Sequence, residues 1–148
     1  MTHSNNSLLG IQNTDVSVTG TLDETVLATF TIPGHLIGPN GILKINYLYT
    51  VPLNTNVKYI RVRLGGTSFI YAQFTNTQTV SGQALIYNRG VENSQISYPT
   101  YNQFGVAAGA PSLGSIDTSI NQNVTITAQL TNITDTVTLK ACTVEIIK

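Results

Sequence analysis

VKYIRVRLGGTSFIYAQF, residues 57–74, decides the fold. Ile60, Val62 and Leu64 alternate with Tyr59, Arg61 and Arg63, so one side of this segment is apolar and the other polar. Period-two alternation is the signature of a half-buried β-strand. Gly65-Gly66 then interrupts the pattern, and a second run of β-formers follows. A two-residue Gly-Gly loop tolerates the positive φ angles of a type I′ turn. The stretch therefore predicts a hairpin, with strands at about 57–64 and 67–75.

The same alternation recurs on both sides. In TVLATFTI, Val26, Ala28, Phe30 and Ile32 alternate with Thr25, Leu27, Thr29 and Thr31. In ILKINYLY, Leu43, Ile45, Tyr47 and Tyr49 share a face opposite Lys44 and Asn46. In NVTITAQLT, Val124, Ile126, Ala128 and Leu130 form the apolar stripe. The last run changes phase: Val137, Leu139 and Ala141 fall on one face, Val144 and Ile146 on the other. A bulge near Ala141–Cys142 would restore a single buried face. Thr, Ile, Val and Asn dominate, which suits pleated surfaces better than helices. Turn residues fall at Pro33-Gly34, Gly38 to Gly41, Pro52 to Asn56, Asn76 to Gln78, Asn88 to Ser94 and Asn132 to Asp135.

These elements predict an all-β protein of eight to nine strands in a two-sheet antiparallel sandwich, jelly-roll-like in layout. Residues 1–13 read as an N-terminal arm and 14–148 as the sandwich domain. Segment 95–113, polar and rich in Gly, Pro and Ala, is expected to hold one short strand within a long loop.

The 148 residues fit one domain with a sizeable core. Seven basic and seven acidic side chains give zero formal charge, so a basic footprint for nucleic acid is lacking. Low net charge favours association. Cys142 is the one cysteine, so no intrachain disulfide contributes. The N-terminus lacks a basic n-region and a long apolar stretch, and no run reaches the ~18 apolar residues of a membrane helix. Synthesis in a cytosol is the expectation, with neither a membrane nor nucleic acid as partner.

Catalytic and metal chemistry find little footing. His3 and His35 stand apart, with no His-x-His, CxxC or Asp-x-Asp cluster beside them. Cys142 lies inside a strand pattern, where a buried inert thiol is expected rather than a nucleophile. Nothing selects a pair of carboxylates for glycoside hydrolysis. The Gly-Gly loop joins strand to strand and offers no helix N-terminus to a phosphate. The expectation is a non-enzyme without cofactor or metal.

Three features invite contact with a partner. Tyr59, Arg61 and Arg63 share an outer sheet face. They are either a solvent-facing group, with ion pairs worth ~0–1 kcal/mol each, or a subunit interface. In an interface a guanidinium would grip a neighbour's carboxylate (Glu92, Asp117 or Glu145) and stack on tyrosine. Tyr98, Tyr101 and Phe104 stand in the loop SYPTYNQFG, where they either close one end of the sandwich or meet a sugar or another subunit. Leu8, Leu9 and Ile11 punctuate the arm. Three aliphatic side chains do not offset the entropy of ordering thirteen backbones. An ordered arm therefore needs main-chain partners, and a sheet edge on another chain would supply them.

The segments GTLDETVLATFTIPGHLIGPNGILKINYLYT, KYIRVRLGGTSF and VTITAQLTNITDTVTLKACTVEII, spread over roughly 20–147, resemble β-sandwich proteins of tailed-bacteriophage virions. The resemblance rests on strand and turn patterns, with Gly34, Gly38, Gly41, Gly65 and Gly66 at the turns. It implies a jelly-roll-like knob, commonly a homotrimer, without catalysis. No catalytic or binding residue carries over. A tail-fibre tip is expected to end a long stalked chain with heptads. A short knob with an arm better fits a capsid decoration (cement) protein, bound to the major capsid protein on the virion surface after synthesis in the host cytoplasm. The alternative is a receptor-binding knob at a fibre or needle tip, engaging a host glycan.

Overall fold

The computed structural model describes residues 6–101 and 105–148. Among these residues there is no helix, and eleven strands form two antiparallel sheets. The strands are β1 (Asn6–Gln12), β2 (Val16–Val18), β3 (Thr25–Ile32), β4 (Ile42–Thr50), β5 (Lys58–Leu64) and β6 (Thr67–Phe74). They continue with β7 (Thr79–Asn88), β8 (Gln95–Ser97), β9 (Ser112–Gly114), β10 (Gln122–Leu130) and β11 (Val137–Ile147). One sheet runs β1-β11-β4-β7-β8-β9, with β2 also on β11; the other runs β3-β10-β5-β6. If β1 and β2 count as one strand and the short β8 and β9 are set aside, the eight main strands follow 1-8-3-6 in one sheet and 2-7-4-5 in the other. That is the double Greek-key order of a jelly roll.

The β5–β6 hairpin lies within a residue of its expected bounds. Gly65 and Gly66 have φ of 56° and 84°, the left-handed pair a type I′ turn demands. The core fills from both inner faces. Leu43, Ile45 and Tyr49 of β4 meet Ile60, Val62 and Leu64 of β5 and Val124, Ile126 and Ala128 of β10, all fully buried. Tyr49 carries its hydroxyl across the slab and donates it to the Thr127 carbonyl of β10 at 3.0 Å. A buried phenol needs such a partner, and here the bond ties the two sheets together.

Where strict alternation breaks, a bulge repairs it. In β3, Leu27 and Ala28 are both buried and Val26 is half-exposed, so the expected Val26–Ala28–Phe30–Ile32 stripe shifts phase. The β10 register steps there, with Ile126 opposite Ala28 and Thr127 opposite Val26. In β11, Leu139 pairs with Tyr49 and Ala141 with Leu48, leaving Lys140 as the extra residue. Val137, Leu139, Cys142, Val144 and Ile146 then share the core, so the expected bulge lies one residue earlier than read.

The arm differs from expectation over its described part. Asn6–Gln12 is an edge strand, hydrogen-bonded to β11 of the same chain from Ile147 back to Cys142. The main-chain partners that an ordered arm requires are thus supplied within the chain. Leu9 is the bulged residue and packs against the core, while Leu8 and Ile11 remain exposed. Segment 95–113 holds the three residues of β8, and β9 starts at its end, against the single short strand expected.

Candidate functional site

Tyr59, Arg61 and Arg63 do share one face, the outer face of the four-stranded sheet, because Ile60, Val62 and Leu64 take the inner one. The register sets Arg61 between Thr127 on β10 and Tyr71 on β6. Glu24, the residue before β3, reaches this face from the far side of the sheet. Arg63 grips it with a fork: Nε donates to Oε2 at 2.9 Å and Nη2 to Oε1 at 2.7 Å. Arg61 Nη1 lies 3.2 Å from the same Oε1 and donates to Gln129 Oε1 at 2.9 Å. Gln129 in turn donates to the Leu22 carbonyl at 3.0 Å, which anchors the loop before β3. Arg63 Nη1 reaches back to the Gly66 carbonyl at 3.0 Å and braces the hairpin turn.

Electrostatics follow from this geometry. The Arg63 fork holds the Glu24 carboxyl below its ordinary range, with partial burial pulling the other way. Reciprocally, Glu24 raises the Arg63 guanidinium above its already high value. The Arg61 side chain is only 12% exposed. Its Cζ lies 4.2 Å from the Tyr71 ring centre and 5.6 Å from that of Tyr59. Tyr71 continues the row, with its centroid 5.6 Å from Tyr59 and 5.5 Å from Tyr101. The face is thus a fixed plate of three rings and two guanidinium groups, with charge compensation built in.

The carboxylate on the arginines comes from Glu24 of the same chain, so Glu92, Asp117 and Glu145 of a neighbour are not needed to balance them. Glu92 meets His35 Nδ1 at 2.9 Å, Asp117 accepts from the Ser119 amide at 3.0 Å, and Glu145 stands opposite Lys44 in the ladder. Sequence reading missed Glu24, Gln129 and Tyr71. Nothing in the short acidic pair Asp23-Glu24 marks it as the partner of arginines two strands away. Tyr71 faces Arg61 only because Phe69 and Ile70 are both buried and shift the β6 register. Two adjacent large apolar residues were the available signal for that shift.

The loop aromatics divide. Tyr101 is exposed and joins the tyrosine row. Tyr98 lies on the other sheet's side, in a groove of about 470 Å³ lined by Leu85, Tyr87, Ile96, Tyr98, Pro99 and Pro111 among others. Phe104 lies outside the described residues. Among the described residues, no group of three or more His, Cys, Asp or Glu side chains could hold a metal. No helix there is long and apolar enough to cross a membrane. Burial pushes the Cys142 thiol up to about 11, which leaves little thiolate at neutral pH.

No protein-family model matches the chain, and no curated protein matches it. Two solved structures are distantly similar. The CBM2 module of the evolved Dit of Lactobacillus casei BL23 phage J-1 aligns at 8% identity and a TM-score of 0.35, over 79% of this chain and 67% of that one. A chain of infectious bursal disease virus, Gx strain, aligns at 11% identity and a TM-score of 0.32. That alignment takes in 98% of this chain but 40% of the viral one.

Proposed function

We propose that this chain is a non-enzymatic structural protein of a tailed-bacteriophage virion. In this reading it is a homotrimeric decoration (cement) protein that binds the major capsid protein and stabilises the head shell. The observation that carries it is the compensated arginine–tyrosine plate. An interface residue loses affinity when its charge must be stripped of water without a partner. Arg61 and Arg63 already have Glu24 and Gln129, so the plate can meet a protein surface without leaving a bare charge. Tyrosine and arginine are also the side chains enriched at such contacts. The strand and turn resemblance to virion sandwiches supports the same reading.

Copy number in purified particles tests it. A decoration protein is present at hundreds of copies, in fixed ratio to the major capsid protein, and heads lacking it break at lower temperature. A ratio of a few tens per particle overturns the reading. The groove beside Tyr98 favours a second reading, a receptor-binding knob that takes a host glycan. For that reading the free protein blocks adsorption of the phage, and the copy number is low.

A further inference from the structure

Lys58, the first residue of β5, is fully buried. Among the described residues its Nζ donates to three neutral oxygens and touches no carboxylate. They are the Pro52 carbonyl at 2.9 Å, the Asn54 carbonyl at 3.4 Å and the Asn54 side-chain Oδ1 at 2.5 Å. An ammonium taken out of water without an anion in contact is costly. Lysines in such surroundings are the ones that serve as nucleophiles.

The carboxamide facing this amine is held at both ends. Asn54 Oδ1 also accepts the Asn56 main-chain N–H at 3.0 Å, and Asn54 Nδ2 donates to Asp135 Oδ1 at 2.8 Å. Asp135 lies on the β10–β11 connection and is itself buried. Its other oxygen accepts from the Asn56 side chain at 3.0 Å. The backbone of Asn54 is fixed too: its N–H donates to the Pro52 carbonyl at 3.0 Å, and its carbonyl accepts from Asn76 at 2.7 Å. These are the parts of an acyl-transfer site. A nucleophile sits against the carbonyl, an N–H stands at the oxygen where negative charge develops, and a carboxyl group holds the leaving nitrogen.

We infer that Lys58 and Asn54 join in an intramolecular isopeptide bond, with Asp135 assisting departure of the leaving group. Lys58 Nζ bonds to Asn54 Cγ, and the Cγ–Nδ2 bond breaks. Of the three protons on the ammonium, one stays on the new secondary amide. The other two pass to Nδ2 through the tetrahedral intermediate, whose Oδ1 already shares a proton with Nζ. The nitrogen leaves as ammonium ion, and Asp135, hydrogen-bonded to it from the start, faces the positive charge that grows there. The reaction needs no oxidant and no co-reactant. It replaces a buried charge with a neutral amide and closes a ring within the β4–β5 connection. The inference concerns the covalent structure of the chain itself, so it stands or falls apart from the virion role.

The test is mass spectrometry of the purified full chain, intact and after trypsin. The wild type is expected to be lighter than its sequence mass by one ammonia, about 17 Da. Trypsin should not cut after Lys58, and the fragment 45–61 should carry the loss. Lys58→Met and Asp135→Asn, each checked for an unchanged β-sheet circular dichroism spectrum, should keep their full mass. A wild-type chain of full mass that trypsin cuts after Lys58 overturns the inference. So does a loss of ammonia that persists in Lys58→Met, or one that hydroxylamine converts into a chain break at Asn54. Either result marks a succinimide and not a bond to lysine.

Discussion

Glu24 shows how one side chain organises a surface. It accepts both prongs of Arg63 and stands within 3.2 Å of Arg61. Glu24→Gln keeps the shape and removes the charge, and hydrogen bonds to charged groups are worth about 1.5–3 kcal/mol. Partial exposure reduces this, so a loss of about 1 kcal/mol is expected in urea unfolding. The pH dependence has a definite sign. The folded carboxyl titrates below 4.5, its value in the unfolded chain, so the folded protein binds this proton more weakly. The stabilisation is fully present above the unfolded value and is lost as pH falls through the folded one. Below about pH 4.5 the wild type should lose stability faster than Glu24→Gln; parallel acid curves would show that the fork contributes nothing.

Lys58 and Asp135 make a second residue-scale case, because both are buried. Lys58 Nζ donates to the Pro52 carbonyl at 2.9 Å and to Asn54, while Asp135 accepts from the Asn54 and Asn56 amides at 2.8 and 3.0 Å. The two charges are joined through Asn54 rather than touching. Asp135→Ala leaves the Asn54 and Asn56 side-chain amides without their acceptor and the buried Lys58 ammonium without the negative charge that faces it through Asn54. Uncompensated buried charge costs about 3–5 kcal/mol, so the thermal midpoint should fall by more than ten degrees. A fall of a degree or two would mean that water replaces the carboxylate.

At the scale of elements, β1 depends on a glycine. A Cβ at Gly10 would stand 2.3 Å from the Phe30 ring, a distance no side chain tolerates, so the edge strand lies flush against β3 only because Gly10 has none. Gly10→Ala should raise amide exchange over Asn6–Gln12 and leave β10 protected. Adding Phe30→Leu should restore part of the lost protection. Exchange unchanged by Gly10→Ala would mean that β1 is held by its ladder alone. The elements also divide the legible from the hidden. β4, β5 and β10 were legible because their inward stripes never break phase. β3, β6 and β11 each hold a bulge, and a bulge moves later side chains to the opposite face. In β11 the apolar residues announced it through Val144 and Ile146, in β6 the adjacent Phe69 and Ile70 were a signal left unread, and in β3 the shift stayed hidden. The Glu24 contact spans the sheet from β3 to β5, and strand order is not written in any one segment.

For the whole molecule, the decisive feature is that the chain's ends meet. β1 covers β11 from Cys142 to Ile147, and β2 covers it from Val137 to Leu139, so the last strand is interior along that side. Deleting residues 1–12 would turn Cys142–Ile147 into a bare edge whose one charged side chain is Glu145. Unprotected edges of this kind pair with other chains. The truncated protein should therefore keep its β-sheet spectrum, lose amide protection along Cys142–Ile147, and aggregate at concentrations where the full chain stays clear. Its mass should rise without a fixed multiple. If the truncated chain instead kept both its protection and its defined mass, Asn6–Gln12 would contribute little to the sandwich. The arm would then be free to serve another chain.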